Sequence, residues 1–230
     1  MSGLTHLCEN NDHFPDPHQA LVEPNGLLAI GGDLKPSRLM AAYRHGIFPW
    51  FSHNSPILWW SPNPRCVFFP SELHITRSLF KSLRHRGYQV TFDKAFTEVM
   101  IECAAPRDSQ QETWITDEMI SAYKTLYEQK IAHSVEVWSA SGELIGGLYG
   151  VCVGQVFCGE SMFHRARDAS KVALIYLCKY LNQWGYQLLD CQLPTPHLQS
   201  LGAKLLSRDA YLDKVSELRD KAVSTEAWQF

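Results

Sequence analysis

Two short apolar segments that each contain an acid place the strongest constraint on the fold of this chain. Residues 157–163 are FCGESMF, with Glu160 at the centre, and residues 188–193 are LLDCQL, with Asp190 near the middle. Both segments are predicted to be β-strands. A carboxylate among apolar side chains costs free energy unless it is hydrogen-bonded or paired with a cation. Two such strands therefore predict a reaction site.

Alternation of side chains along a strand determines which residues share a face. It predicts Cys158, Glu160 and Met162 on one face of the first strand, and Asp190 with Gln192 on one face of the second. A carboxylate accepts a proton or orients a neighbour, and an amide both donates and accepts hydrogen bonds. We therefore expect Asp190 and Gln192 to face one pocket and to act as a pair.

Each acid also has a purely structural interpretation. A short polar residue such as Asp190 often caps backbone amides at the end of a strand. Glu160 equally suits a buried salt bridge with an Arg or Lys, such as Arg165 or Arg167. Cys191 lies between the polar pair, is expected to point away from it, and is discounted as a nucleophile.

Composition limits the class of protein. The 230 residues are 45% hydrophobic, enough for one large domain or two modest ones, and the net charge of -3 requires any nucleic-acid surface to be local. Seven cysteines without a C-x-x-C pair indicate reduced thiols in a cytoplasmic protein, and we expect no metal. No export signal and no apolar run near the ~20 residues of a membrane span is visible, so we expect no membrane association.

The pattern along the chain predicts an α/β (α+β) fold. Residues 1–64 are rich in proline, glycine and aromatics and are predicted to form a small N-terminal domain, with a larger domain over 65–230. Predicted strands cover 27–30, 65–69, 88–92, 133–138, 144–152, 155–163 and 186–193. Predicted helices cover 37–45, 75–86, 94–103, 117–129, 169–184 and 209–220. An antiparallel meander followed by strand, helix and strand is the order of the acetyltransferase-like fold, a mixed sheet flanked by helices.

That order alone also permits a coenzyme A-dependent acyltransferase. Such an enzyme would hold pyrophosphate with a glycine-rich turn before the helix that begins at Ala169. The loop from His164 to Ala169 contains no glycine, which argues against coenzyme A.

Two further groups of residues have both a functional and a structural interpretation. Arg77, Lys81 and Arg84 recur on one face of the predicted helix 75–86, and no acid lies between residues 74 and 89. This stripe suits phosphates, although an ordinary solvated helix face has the same pattern. The tryptophans of the chain suit either an apolar pocket or core packing; those considered are Trp50, Trp59, Trp60 and Trp114.

With these residues identified, the chain resembles the leucyl/phenylalanyl-tRNA–protein transferases. The matching segments are EPNGLLAIGGDL at 23–34, GIFPWF at 46–51, LWWSP at 58–62, TWI at 113–115, HSVEVW at 133–138, GGLYGV at 146–151, FCGESMF at 157–163, ASK at 169–171, LDCQ at 189–192 and SLGA at 200–203. They occur in order over nearly the whole chain, so the combined match is highly specific.

The resemblance implies an enzyme of the bacterial cytoplasm. It would move Leu or Phe, and Met less readily, from aminoacyl-tRNA to proteins with N-terminal Arg or Lys, marking them for N-end-rule degradation. It implies a small N-terminal domain, an acetyltransferase-like domain and no cofactor, and we expect a monomer. A tRNA-binding module without catalysis is the non-enzymatic alternative.

The resemblance also assigns residues. Its apolar amino-acid pocket corresponds to Trp50, Trp114, Leu148, Phe157, Met162, Leu177 and Leu189, with Leu177 where the family can have a larger aromatic residue. Its basic tRNA-binding cluster corresponds to Arg77, Lys81, Arg84 and Arg86.

For the chemistry, Asp190 either accepts the amine proton or polarises Gln192, whose carbonyl oxygen does so, and the sequence leaves both open. Glu160 is expected to hydrogen-bond an ammonium group of a substrate.

Overall fold

The computed structural model describes residues 4–9, 11–73, 86–106 and 113–230. The predicted helix 75–86 falls outside these ranges except for its last residue, Arg86, and so do Arg77, Lys81 and Arg84.

A small four-stranded sheet is formed by the first part of the chain. Its strands are β1 (Thr5–Leu7), β2 (Leu27–Gly31), β3 (Phe48–Pro49) and β4 (Leu58–Trp60), in the order β1-β2-β4-β3. Helix α1 (Pro36–Arg44) connects β2 to β3. Proline at its first position suits a helix start, and Gly46, with φ 69°, follows its end.

A seven-stranded mixed sheet is formed by the rest of the chain. Its strands are β5 (Arg65–Phe68), β6 (Gln89–Phe92), β7 (Ala132–Trp138), β8 (Leu144–Val153), β9 (Val156–His164), β10 (Leu188–Asp190) and β11 (Lys204–Leu206), in the order β11-β5-β10-β9-β8-β7-β6. Within the described ranges, β9 and β10 are the parallel pair, and the other neighbours in this sheet are antiparallel. The helices are α2 (Phe96–Ala104), α3 (Asp117–Glu128), α4 (Ala169–Trp184), α5 (Pro196–Ser200) and α6 (Arg208–Leu218).

Local sequence signals explain the two helices nearest the predicted site. In α3 the Thr116 hydroxyl accepts a hydrogen bond from the backbone N–H of Met119 at 3.2 Å, which caps the first turn. Met119, Tyr123 and Leu126 recur on its buried face. Helix α4 has the predicted bounds and ends at Gly185, whose φ of 89° is the left-handed conformation that glycine adopts without strain.

Both faces of the large sheet are covered. On one face α1, α2 and α3 pack over a core that includes Tyr43, Tyr123 and Val151. On the other face α4 packs over a core that includes Leu148 and Leu189. The predicted mixed α/β architecture is confirmed. The first core contains residues from both sheets, and the domain division at residue 64 stays a prediction.

An irregularity in the β8–β9 pairing redirects the first acid-bearing strand. Tyr149 pairs with Ser161 and Gly150 pairs with Gly159, which leaves Glu160 as an extra residue. Such a bulge changes the face to which the following side chains point. Cys158 therefore belongs to the core under α1–α3, while Met162 packs against the core under α4. The prediction that Cys158 and Met162 share a face is wrong for this reason.

The second acid-bearing strand is shorter than predicted. β10 covers Leu188–Asp190 instead of 186–193, and Gln192 has a φ of 55°. A left-handed residue cannot continue a strand, so the alternation that was expected to link Asp190 with Gln192 ends between them.

In the described part of the chain, no helix has both the length and the apolar character needed to cross a membrane.

We predict that Gly150→Ala destabilises the protein whereas Gly159→Ala, at the paired position, is tolerated. A Cβ at Gly150 would lie 2.3 Å from the carbonyl oxygen of Cys158 and 2.4 Å from the Phe157 ring, whereas a Cβ at Gly159 would meet nothing closer than 3.5 Å. Forcing extra atoms into a packed site costs about 1–3 kcal/mol. Urea unfolding of both variants measures the difference, and equal midpoints would contradict this account of the bulge.

Candidate active site

Two cavities, each of about 290 Å³, meet at the point where β9 and β10 part. The strands pair from Val156 and Leu188 to Cys158 and Asp190, after which β10 ends and β9 continues paired with β8. We call the first cavity the apolar slot; its own described lining residues are Leu148, Tyr149, Gly159, Ser161, Met162, Leu174, Leu177, Leu189 and His197. We call the second the tryptophan cleft; its own described lining residues are Phe48, Pro49, Trp50, Trp114 and Leu193. Both are also lined by Glu160, Cys191, Gln192, Thr195 and Leu198.

The structure brings together most of the residues assigned to the substrate pocket. Leu148, Met162, Leu177 and Leu189 line the apolar slot. The two tryptophans of the set, Trp50 and Trp114, line the neighbouring tryptophan cleft instead.

Phe157 does not line either cavity. It is fully buried, and its ring stacks on Trp228 with the centroids 5.6 Å apart. The ring occupies the space left free by Gly150, where even a Cβ would clash with it. The expectation that Phe157 lines the pocket is therefore wrong, and Phe157 supports the slot from within the core that it shares with Leu177 and Leu189.

Glu160 is held by two tyrosines. The Tyr43 hydroxyl donates to Glu160 Oε1 at 2.8 Å and the Tyr123 hydroxyl donates to Oε2 at 3.1 Å, and the two hydroxyls contact each other. Burial raises the pKa of Glu160, the two tyrosine hydrogen bonds lower it, and the resulting pKa is about 7. The carboxyl group therefore changes its charge near neutral pH.

The salt-bridge interpretation of Glu160 is wrong. Arg165 forms its ion pair with Glu102, and Arg167 forms its ion pair with Asp168. Among the described residues, the hydrogen bonds to the Glu160 carboxylate come from two neutral phenols and the Gln192 amide, and no basic side chain pairs with it.

Asp190 forms a buried ion pair with Arg65. Arg65 Nε donates to Asp190 Oδ1 at 2.8 Å and Nη2 donates to Oδ2 at 2.7 Å, while the Tyr211 hydroxyl donates to Oδ2 at 2.8 Å. The guanidinium group lies over the rings of Phe48 and Tyr211, at 4.7 and 4.5 Å from their centroids. Asp190 has no exposed surface and lines neither cavity. The expectation that Asp190 faces the pocket beside Gln192 is wrong, because Arg65 and Tyr211 take up its carboxylate on the far side of the strand.

Gln192 is linked to both acids. Its backbone N–H donates to Asp190 Oδ1 at 2.9 Å, which holds the left-handed turn after β10. Its Nε2 donates to the carbonyl oxygen of Gly159 at 2.7 Å and to Glu160 Oε1 at 3.4 Å. The side chain thus bridges the gap between β9 and β10, and within the described residues its Oε1 remains an unengaged acceptor beside the cavities.

Several residues of the site were not anticipated from the sequence. Cys191 lines both cavities, so the expectation that it points away is wrong; burial raises the pKa of its thiol well above the usual range, which keeps it neutral. Tyr43 carried no signal, since it belongs to a helix distant in sequence from Glu160. Tyr123 was recognisable as part of the buried face of α3, and a buried tyrosine hydroxyl usually needs a partner.

Arg86 is exposed and lines neither cavity. Among the described residues, no three His, Cys, Asp or Glu side chains are grouped so as to hold a metal ion.

The fold is a mixed α/β structure in which an apolar slot opens beside a titratable carboxyl group and an oriented amide. Comparison with known proteins identifies the family. A family profile described as leucyl/phenylalanyl-tRNA protein transferase matches residues 67–216, and the profile of the N-terminal domain of the same transferase matches residues 32–63.

Full-length relatives agree with these profiles. The leucyl/phenylalanyl-tRNA–protein transferase of Nitrosomonas europaea is 55% identical over 217 residues, covering 94% of this chain and 92% of that protein. The transferase of Shewanella pealeana is 52% identical over 229 residues, covering 100% and 97%. The chain therefore belongs to the leucyl/phenylalanyl-tRNA–protein transferase family, which confirms the resemblance seen in the sequence.

Solved structures match only distantly. The structure of L-PGS from Bacillus licheniformis has a TM-score of 0.42 and 11% identity, covering 73% of this chain and 53% of that one. A GCN5-related N-acetyltransferase from Kribbella flavida has a TM-score of 0.42 and 9% identity, covering 74% and 60%. Similarity at this level carries no argument about the site.

We predict that Asp190→Asn strongly destabilises the protein. The change would leave the Arg65 guanidinium buried without its counter-charge, and breaking a buried pair costs about 3–5 kcal/mol. Asp220→Asn is the matched control, because Asp220 also pairs with an arginine, Arg44, but at the surface, where solvent screens the charges. Urea unfolding should show a large loss for the first variant and little change for the second. Similar midpoints would exclude a structural role for the buried pair.

Proposed function

We propose that the chain transfers Leu or Phe, and Met less readily, from aminoacyl-tRNA to the α-amine of proteins that begin with Arg or Lys. Membership of the family supports the donor and the reaction. The observation that carries the proposal is the apolar slot, which opens directly onto Glu160 and Gln192. The product would be marked for N-end-rule degradation in the cytoplasm, with the enzyme acting as a monomer and residues 1–64 as its smaller domain.

The slot suits the side chain of the donor amino acid. Leu148, Met162, Leu177 and Leu189 give it an apolar wall without a charge. Such a wall favours Leu and Phe, while one methylene group is worth only about 1–3 kcal/mol in an apolar pocket, so Met should be accepted to some degree. Trp50 and Trp114 would contact the substrate from the tryptophan cleft, where Trp50 is 40% exposed.

The proposed reaction requires that the two substrates be positioned, more than that the acyl donor be activated. An aminoacyl ester is already an activated acyl donor, so neither ATP nor a covalent enzyme intermediate is required. The attacking α-amine has an ordinary pKa of about 7.7–8.0 and is largely protonated at neutral pH. The enzyme must hold the free amine against the ester carbonyl and support the oxyanion that forms.

Asp190 and Gln192 would act as a unit in which Asp190 has the indirect role. The hydrogen bond from the Gln192 backbone to Asp190 supports this division, because it fixes the turn that directs the amide side chain to the cavities. The bond from Nε2 to the Gly159 carbonyl oxygen turns Oε1 towards an incoming amine. Glu160, on the same cavity surface, would bind an ammonium group of one substrate.

The tRNA would be held by the basic stripe of Arg77, Lys81 and Arg84, together with Arg86. The support is their helical spacing without an intervening acid. Phosphate contacts of this kind are not specific for sequence and weaken as salt increases.

Incubation with phenylalanyl-tRNA tests the proposed function. The expected result is transfer of labelled phenylalanine to a peptide that begins with Arg or Lys, and not to a matched peptide that begins with Asp. Acyl transfer from a coenzyme A thioester, with no transfer from tRNA, would favour the coenzyme A alternative. Binding of phenylalanyl-tRNA without any transfer would identify a tRNA-binding module.

We predict that Met162→Ala broadens the choice of donor. Shortening this side chain enlarges the slot, so the kcat/KM ratio of Phe over smaller or branched donors should change by about tenfold or more, the value of one or two methylene contacts. The control is Leu205→Ala, which shortens an apolar side chain that is 44% exposed and lines neither cavity. Equal donor ratios in wild type and Met162→Ala would show that Met162 does not select the donor.

A further inference from the structure

We propose that Glu160 takes the proton from the α-ammonium of the acceptor, and that Tyr43 and Tyr123 are positioning residues that hold the Glu160 carboxyl group in a closed ring of three oxygen contacts. The inference rests on the proposed function and deepens it. It assigns the loss of the first proton to a carboxyl group, whereas the amide of Gln192 orients the amine.

The ring is built from three separate elements. Tyr43 comes from α1, Tyr123 comes from α3, and Glu160 is the extra residue of the bulge in β9. Each of the three groups contacts the other two: the hydroxyls contact each other, and each donates to one oxygen of the carboxylate. The ring is buried on the tyrosine side, and Glu160 reaches both cavities on the other.

The ring of Tyr43, Tyr123 and Glu160 has room for one additional proton. With Glu160 ionised, the two phenols supply two protons for three oxygen–oxygen contacts, so one contact lacks a hydrogen bond. With Glu160 protonated, three protons serve three contacts, and every group donates once and accepts once. One proton taken from a substrate therefore completes the ring, and losing it to solvent resets the ring.

The surroundings of Glu160 balance its two charge states. The titratable or charged groups that face it are Tyr43, Tyr123, Tyr149, Cys158, Arg65 and Asp190. Burial and the Asp190 charge favour the neutral carboxyl group, while the two hydrogen bonds and the Arg65 charge favour the ionised one. The resulting pKa of about 7 lies close to that of an α-amine, about 7.7–8.0, as efficient proton transfer requires. Gln192 has no group that titrates in this range.

The acceptor α-ammonium gives one N–H proton to a Glu160 oxygen, and the freed lone pair forms the C–N bond with the ester carbonyl carbon. The C–O bond to the ribose then breaks, and the second N–H proton passes to the leaving ribose oxygen. The products are the peptide bond, the free tRNA hydroxyl and a neutral Glu160, which returns its proton to water.

The dependence of kcat/KM on pH tests the positioning role. Removing a hydroxyl that favours the ionised form raises the pKa of Glu160, so Tyr43→Phe and Tyr123→Phe should move the acid limb to higher pH, by about one unit each. The control is Tyr127→Phe, one turn further along α3, where the hydroxyl donates to the carbonyl oxygen of Asp93 at 2.9 Å and does not contact Glu160. An unmoved acid limb in folded Tyr43→Phe and Tyr123→Phe, or the same shift in Tyr127→Phe, would overturn the role of the ring.

A change of nucleophile tests proton removal by Glu160 itself. With a Lys- or Arg-starting peptide, Glu160→Gln should lower kcat/KM by a factor of about 10²–10⁴. With a peptide of the same sequence that begins with an aminooxy group, which is the uncharged –ONH2 form at neutral pH and has no ammonium proton to lose before attack, the loss should be at least about tenfold smaller. Equal losses with both nucleophiles would overturn the proposal while leaving the transferase function intact. Absence of transfer by the wild-type chain would instead refute the proposed function.

Discussion

The buried ion pair between Arg65 and Asp190 is the interaction on which the site depends. It joins β5 to β10, and the guanidinium group also packs on Phe48 of the small sheet and Tyr211 of α6. Removing both charges from water is costly, and the bidentate geometry with a further hydrogen bond from Tyr211 offsets that cost. The same carboxylate then holds the backbone of Gln192. One pair of residues therefore connects the small sheet, the last helix and the polar end of the slot.

The parting of β9 and β10 provides the space for the slot, and the bulge places the Glu160 carboxyl group beside it. Backbone groups that lose their strand partner need another partner. The Gln192 side chain supplies one for the carbonyl oxygen of Gly159, which ties the strand ends together without closing the gap. The bulge brings Glu160 to the side of the sheet where α1 and α3 present their tyrosines, while Met162, two residues later, faces the slot.

The sequence predicts the elements better than it predicts the directions of side chains. Helix α4 is predicted with its bounds because its apolar face is long and Gly185 ends it. Glu160 and Gln192 are recognisable as polar residues in apolar segments of the sequence. The faces of Asp190 and Met162 are not predictable from alternation, because one extra residue in β9 and a left-handed Gln192 each break the period. The left-handed position has no local signature because it is not a glycine, whereas Gly159, directly before Glu160, is the weak local signal of the bulge. Pairing of Asp190 with Arg65, 125 residues earlier, depends on the whole sheet.

The two acids lie on neighbouring strands but have different surroundings, and the difference supports the separate roles proposed for them. Asp190 is paired with a guanidinium group, which is always charged, so its carboxylate is committed to holding structure. Glu160 contacts neutral phenols and an amide instead, and burial brings its pKa to about 7. Environments that separate two carboxyl groups in this way commonly divide labour within a site. A reaction that joins a protonated amine to an ester needs one group that fixes the positions of the site residues and another that exchanges a proton near neutral pH. If Asp190 and Glu160 exchanged their partners, the site would lose both groups.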